Sequence, residues 1–328
     1  MKILVVGGAG YIGSHMVKWL TRSGHDVVIV DNLSTGHREL ARYGRLVVGN
    51  LGDRALLDRL FAQERFDAVM HFAANSLVAE SVVEPARYFQ NNLANTLVLL
   101  DAMRDWGCHY FIFSSTAATF GEPEYWPIDE RHPQSPINPY GLSKLMVEQV
   151  LQQYAAAYAL NSVSLRYFNA AGADPDGELG ECHEPETHLI PIILQAAHGK
   201  REAVTVFGRD YATPDGTCIR DYVHVQDLCS AHLLALEKLK TGELQGAQAF
   251  NLGNGNGFSV AEVIEAAMRV VSASGHNFTV HEGERRSGDP AILVADSSAA
   301  RDQLGWQPVY PDIVTIIQHA WEWERRRS

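Results

Sequence analysis

The sequence predicts an α/β protein: a doubly wound parallel sheet with helices on both faces, continued by a smaller mixed α/β lobe. Three observations predict it. Six short runs rich in β-branched residues recur through the first half, longer helix-spaced stretches separate them, and a glycine-rich turn follows the first run. The runs are KILVVG (2–7), DVVIVD (26–31), RLVVGN (45–50), DAVMHF (67–72), HYFIFSS (109–115) and SVSLRYF (162–168). Strands apolar on both faces and alternating with helices belong to a parallel sheet covered on each side.

Helical spacing occupies 11–23, 53–63, 86–106 and 139–159. Asn138 can cap the last of these, and Pro139 fits the first helical position, where its missing N–H costs nothing. Beyond Phe168 the rhythm loosens into a polar loop (172–187), a short helix (189–199), and a strand in AFNLGNGNGFS (249–259) that glycines end before a helix from about residue 260. No repeat or Pro/Gly/Ser-rich linker separates independent domains. Residues 1–168 therefore form the sheet domain. Residues 169–328 form a smaller lobe at its carboxyl edge, with some segments returning to the sheet; such edges bind ligands in open α/β sheets.

The composition, 46% hydrophobic and 20% charged over 328 residues, is that of a soluble folded protein. A net charge of −12 argues against nucleic acid or an anionic membrane as partner. The opening MKILVVGGAG is cut by glycines too early for a signal peptide or a membrane span. Four scattered cysteines without a CxxC pair read as free thiols in a reducing compartment, hence the cytoplasm. ECHEPETH (181–188) gathers a cysteine and two histidines among acids, but without a second cysteine pair or HExxH no metal is expected.

Gly7, Gly10 and Gly13 recur every third residue between the first strand and the first helix. Glycines there permit a tight turn and close approach of a pyrophosphate to the helix N-terminus. Asp31 ends the second strand 18 residues past Gly13, near the ~20 expected of the acid that binds an adenosine ribose. Its carboxylate would repel a 2′-phosphate, so NAD is expected rather than NADP. Tyr140 and Lys144 lie one helical turn apart in NPYGLSKLMVEQ. A free phenol titrates near ~10; a neighbouring ammonium and a nicotinium ring could lower it by about three units, roughly 4 kcal/mol. Ser114, Ser115 and Thr116, at a strand end, offer hydroxyls to hold a substrate oxygen.

These motifs resemble the extended short-chain dehydrogenase/reductases, Rossmann-type proteins with a Tyr-x-x-x-Lys pair. Within them, GGAGYIGSH, DNLSTGH, FSSTAATFG, LRYFNAAGA, DGTCIRDYVHVQDL, FNLGNGNGFSV and RRSGDPA follow the order of the UDP-glucose 4-epimerase family over essentially the whole chain. The resemblance implies a 4-epimerase acting on UDP-galactose and UDP-glucose with retained NAD. It makes Tyr140 the base, Lys144 its ribose-binding and pKa-lowering neighbour, and Thr116 the partner of the reacting oxygen. It places Gly7, Gly10, Tyr11, Ile12 and Gly13 at the pyrophosphate, and Asp31, Asn32, Leu33, Ser34 and Thr35 around the adenosine ribose. Phe72, Ala73, Ala74, Ser76, Asn91, Ser114 and Phe168 would flank the remaining cofactor. Asn50, beside Leu51, replaces the family's common aspartate near adenine, where its amide oxygen could accept from the exocyclic amine. Ser76 stands where some members carry a lysine.

The resemblance assigns Arg220 and Arg286 to the diphosphate, which suits a planar guanidinium fork. It assigns Asp289 to the uridine ribose, Asn169, His188 and Leu189 to the sugar and phosphate, and Thr205, Val206 and Phe207 to uracil; for these last a buried core strand is the alternative. Leu293 would restrict room near sugar C2 and disfavour N-acetylated sugars. Members often dimerise through the 86–106 and 139–159 helices, so a homodimer is expected, although the helices' mixed faces also allow a monomer. Another UDP sugar remains an alternative substrate. A 4,6-dehydratase is disfavoured because Ala117 and Ala118 follow Thr116 and can move no proton. A non-catalytic NAD-binding protein would not need Tyr140, Lys144 and Thr116 together.

Overall fold

A computed structural model describes residues 1–285 and 289–327. Its strands are β1 (Lys2–Val6), β2 (Asp26–Asp31), β3 (Arg45–Val48), β4 (Ala68–His71), β5 (Tyr110–Thr116), β6 (Asn161–Tyr167), β7 (Asn169–Ala171), β8 (Val204–Phe207), β9 (Ile219–His224), β10 (Ala247–Leu252), β11 (Gly257–Ser259), β12 (Val280–Gly283) and β13 (Ile292–Leu293). Its α-helices are α1 (Tyr11–Arg22), α2 (Arg54–Gln63), α3 (Val78–Val83), α4 (Pro85–Tyr88), α5 (Asn95–Asp105), α6 (Pro139–Tyr158), α7 (Leu189–Ala197), α8 (Val225–Thr241), α9 (Val260–Ser272) and α10 (Ile313–Arg326).

Seven parallel strands form the large sheet in the order β10-β6-β5-β4-β1-β2-β3. β1 shows why its residues are all apolar. Ile3 and Val5 face the layer that holds α1 and α8, while Leu4 and Val6 face the layer of α2, α5 and α6. Both layers are dry, so alternation disappears from the sequence. α8 and β10 both lie beyond residue 168, yet β10 pairs with β6 in register from Ala247–Ser162 to Leu252–Tyr167.

Chain order reverses between β1 and β4, which opens a crevice at their carboxyl ends. The turn after β1 and the segment after β4 face each other there. A Cβ on Gly7, whose φ is +80°, would lie 2.4 Å from the Ala73 nitrogen. Only glycine allows that approach.

The smaller layer centres on β9, which pairs with β7 and β13 in parallel and with β11 antiparallel. α7, α9 and α10 bury Ile193, Val263, Ile316, Ile317 and Trp321 together beside it. β8 pairs with β12.

One expected helix is interrupted. Residues 86–106 form α4, a π-helical stretch Phe89–Ala94, and α5. The wider turn leaves Asn91 at the crevice and buries Asn92, whose side chain accepts from the Asn75 N–H and donates to the Asn75 carbonyl and Ser143 Oγ. That network ties the segment after β4 to α6.

Candidate active site

A groove occupies the crevice. Of the sequence-predicted cofactor residues, Gly7, Gly10, Asp31, Asn32, Ser34, Thr35, Leu51, Phe72, Ala73, Ala74 and Asn91 line it. Tyr11, Ile12 and Gly13 start α1 at its end, and Tyr11 Oη donates to the Gly172 carbonyl at 2.6 Å. Val30, Gly36, Gly49 and Asn75 also line the groove and were missed. Gly36 had a signal in DNLSTGH, because a Cβ there would stand 2.9 Å from Asp31 Oδ1.

The groove fits a dinucleotide. Gly10 caps α1 with no side chain, so the first amides of a twelve-residue helix stay available to an anion. A Cβ on Gly13 would fall 2.1 Å from the Gly7 carbonyl oxygen, whereas one on Gly10 would meet nothing nearer than 3.5 Å. The turn is thus closed on its inner side and open toward the groove. Asp31 is buried, and its carboxylate accepts from the Ala9 N–H at 2.9 Å and the Leu33 N–H at 2.8 Å. Leu33 reaches back by adopting φ 58°, a left-handed backbone. Each Asp31 oxygen keeps a lone pair for a ribose hydroxyl.

Asn50 departs from expectation. Its amide oxygen already accepts from the Gly52 N–H at 2.7 Å and the Asn95 amide at 3.3 Å. Both acceptor sites are engaged, which leaves the amide N–H groups to meet a base. Ser76 is exposed and lies outside the groove lining.

β5 and α6 assemble the candidate reacting groups. Asn138 caps α6 by accepting from the Gly141 N–H at 2.8 Å, and Pro139 starts it. Gly141 lets the helix sit on the strand end; a Cβ there would be 2.4 Å from the Ala118 carbonyl oxygen. Tyr140 is thereby brought beside Thr116, the last residue of β5, near enough for the Thr116 hydroxyl to act on the phenol. One turn on, Lys144 is 2% exposed, donates to the Ser114 carbonyl at 2.7 Å, and lies 4.7 Å from the Phe113 ring centre.

Charge behaves differently from the sequence expectation. Burial raises the Tyr140 phenol above its ordinary value, with the Thr116 hydroxyl pulling the other way. Burial lowers Lys144 to about 7, opposed by Glu148. Desolvation works against charge on both groups, so any attraction between ammonium and phenolate has to overcome their burial. The second cation of the sequence argument belongs to the ligand.

Beneath α6 lies an ion pair the sequence did not announce. Glu148 and Arg166 are 6% and 7% exposed and meet at 2.6 Å, with Ser115 also donating to Glu148. Phe168 and Leu293 pack against Ala117, Phe120 and Ile128 next to Thr116.

On the other lobe, Arg220 and Asp289 form an ion pair with each other, and Arg220 also donates to the Ile219 carbonyl at 2.9 Å. Arg286 lies outside the described residues. Asn169 begins β7. His188 stands at the N-terminus of α7, whose first residue is Leu189, and pairs with Glu181 at 2.6 Å; partial desolvation lowers it, but the Glu181 and Glu186 carboxylates raise it to about 10. Of the β8 residues, Thr205 is half-buried, Phe207 is partly exposed, and Val206 is buried in the core. The Val206 side chain therefore cannot stack on uracil.

Comparisons agree with this geometry. Residues 3–253 match the model of the NAD dependent epimerase/dehydratase family. The UDP-glucose 4-epimerase of Streptococcus mutans is 52% identical over 326 residues, spanning 98% of this chain and 96% of that protein. That of Halalkalibacterium halodurans is 51% identical over 325 residues, 99% and 96% of the two chains. The crystal structure of UDP-glucose 4-epimerase from Brucella ovis in complex with NAD superimposes with a TM-score of 0.94 at 50% identity, covering 98% of this chain and 97% of that one. The chain belongs to the NAD-dependent epimerase/dehydratase family, alongside its UDP-glucose 4-epimerases.

Proposed function

We propose that the protein is an isomerase that interconverts UDP-galactose and UDP-glucose by inverting sugar C4, using NAD as a retained cofactor. The observation that carries this reading is the meeting of Tyr140, Thr116 and Lys144 at the sheet edge beside the glycine-walled groove. NAD, held by the glycine turn, α1 and Asp31, would supply a reversible hydride acceptor at sugar C4, so that inversion leaves no net redox change.

Tyr140 takes the proton of the 4-hydroxyl and later gives it back. Thr116 holds the same oxygen. Lys144, fixed by the Ser114 carbonyl, binds the cofactor ribose and supplies positive charge near the phenol when protonated. The glycine turn and α1 hold pyrophosphate, and Asp31 holds the adenosine ribose. Arg220 uses two of its N–H groups on Ile219 and Asp289, leaving others for a diphosphate. Asp289 turns to the uridine ribose, with Asn169 and Leu189 nearer the sugar. Leu293, packed against the Ala117, Phe120 and Ile128 cluster, favours sugars without an N-acetyl group.

Residues 1–168 supply mainly the NAD face and residues 169–328 mainly the UDP-sugar face. Ala117 and Ala118 after Thr116 supply no acid or base, which favours epimerisation over dehydration. The four free cysteines, three of them buried, suit a reducing cytoplasm and a place in galactose metabolism. A homodimer would use the α5–α6 face, where Trp106 and Tyr158 are exposed.

The purified protein, incubated with UDP-galactose and no added NAD, should produce UDP-glucose to equilibrium, followed by the sugar anomeric signals in proton NMR. No product, with or without NAD, would overturn the proposal.

A further inference from the structure

Two clusters of chelating side chains lie in the loop between β7 and α7, and they are resolved in opposite ways. In the first, Asp174, Asp176 and Glu178 surround Lys18, whose ammonium stands 2.5, 3.1 and 2.5 Å from the three carboxylates. A cation already fills that centre. In the second, Glu181, His183, Glu186 and His188 bring one ligand atom each within 4.8 Å of one another. Both carboxylates there are buried, at 7% and 2% exposure, and both are paired with imidazoles rather than with lysine or arginine.

The distances suit a small tetrahedral ion. Ligand atoms ~2.0–2.1 Å from such an ion stand about 3.4 Å apart. Here His183 Nδ1 and His188 Nδ1 lie 2.9 and 2.6 Å from Glu181 Oε1, and 3.8 and 3.1 Å from Glu186 oxygens. Each of these imidazole–carboxylate separations lies within about 1 Å of that value, and all four ligand atoms lie within 4.8 Å of one another. Two carboxylates would neutralise its charge, and mixed imidazole and carboxylate donors select zinc over calcium, which takes oxygen ligands.

We infer that Glu181, His183, Glu186 and His188 form a four-ligand structural site for a divalent transition ion of the zinc type. The spacing of ECHEPETH argued against a metal because it lacks the usual motifs, but the fold supplies what the spacing does not. Glu186 Oε1 also accepts from the N–H groups of Thr187 and His188, at 2.8 and 2.9 Å, which aims its carboxylate inward. An ion here would pin the loop to its neighbours. Trp323 of α10 donates to the Glu181 carbonyl at 3.0 Å, the His183 ring lies 6.4 Å from that of Tyr11 on α1, and His188 stands at the N-terminus of α7.

The test uses the NAD-loaded protein after chelator treatment. Zn²⁺ titrated by calorimetry should bind at one equivalent, raise the melting temperature reversibly and change Trp323 fluorescence. Co²⁺ should give the intense visible bands of tetrahedral coordination. His183→Gln and Glu186→Gln should each weaken Zn²⁺ by more than about tenfold. The partly exposed His183→Gln should keep the wild-type metal-free melt, which separates lost binding from misfolding. Absence of saturable Zn²⁺ binding, a weak octahedral Co²⁺ spectrum, unchanged affinity in His183→Gln, or affinity lost instead in Cys182→Ser would overturn the inference.

Discussion

Around the cofactor groove, polar groups are held by backbone; Arg220 and Asp289 are held chiefly by each other, with one backbone bond from Arg220 to the Ile219 carbonyl. Asp31 is fixed by two backbone N–H groups, Lys144 by a backbone carbonyl, and Tyr140 by a capped helix seated on Ala118. Arg220 and Asp289 share one ion pair, and Asp289 is about a third exposed. The first region can receive a ligand without rearranging. On the proposed reading, the second exchanges partners when a diphosphate and a ribose arrive. A retained cofactor and a sugar that must turn over are served by that division, because rigidity sits where nothing moves and adaptability where ligands come and go.

The largest effect should come from the rigid side. Tyr140→Phe should lower kcat by about 10²–10⁴-fold while bound NAD, measured on the denatured protein, stays at the wild-type level. Unchanged turnover would remove the phenol from the chemistry and break the comparison at its centre.

Next is the support beneath α6. Glu148→Gln leaves the buried Arg166 guanidinium without its carboxylate and should destabilise the protein by about 3–5 kcal/mol in urea unfolding. A loss below about 1 kcal/mol would mean that water or Ser115 compensates, and that the catalytic helix is less fixed than the geometry implies.

The adaptable side should respond through binding instead. Arg220→Gln should raise KM for UDP-galactose about 10–100-fold, in line with ~1.5–3 kcal/mol for a hydrogen bond to a charged group, with a smaller change in kcat. An equal fall in kcat at constant KM would place Arg220 in the rigid set.

The smallest effect, taken per pH unit, is a pH slope. In the cofactor-free protein Lys144 loses its proton near pH 7, whereas in the unfolded chain it holds it to 10.5. Between these values the unfolded state binds more protons, so stability should rise with pH. Relative to Lys144→Met, wild type should gain up to about 1.4 kcal/mol per pH unit across that window. Parallel curves for the two proteins would show that Lys144 is not desolvated.

The same division explains what could be read from the sequence. The six strands, the glycine turn, Asp31 and the Asn138–Pro139 helix start are local signals, each set within a few residues by apolar runs, turn geometry or capping. Departures from local reading arise from distant partners. Asn92 is buried by Asn75 and Ser143, so the π-helical stretch carries no proline or glycine to mark it. Lys18 finds Asp174 across 156 positions, and Glu148 looks like any helix-surface acid until Arg166 comes under it from β6. Val206 became core through its strand pairing with β12, which periodicity over four residues could not distinguish from an exposed platform. The Tyr140–Lys144 pair was visible, but the sign of its pKa balance depended on burial that only the assembled fold reveals.

The most direct test of the central claim is the fate of an isotope at sugar C4. UDP-galactose carrying deuterium at C4, turned over in ordinary water, should give UDP-glucose with the label still at C4, because hydrogen leaves and returns as hydride inside a dry site. Replacement of the label by solvent protons would show that C4 inverts by deprotonation, and would contradict the roles given to Tyr140, Thr116 and the groove.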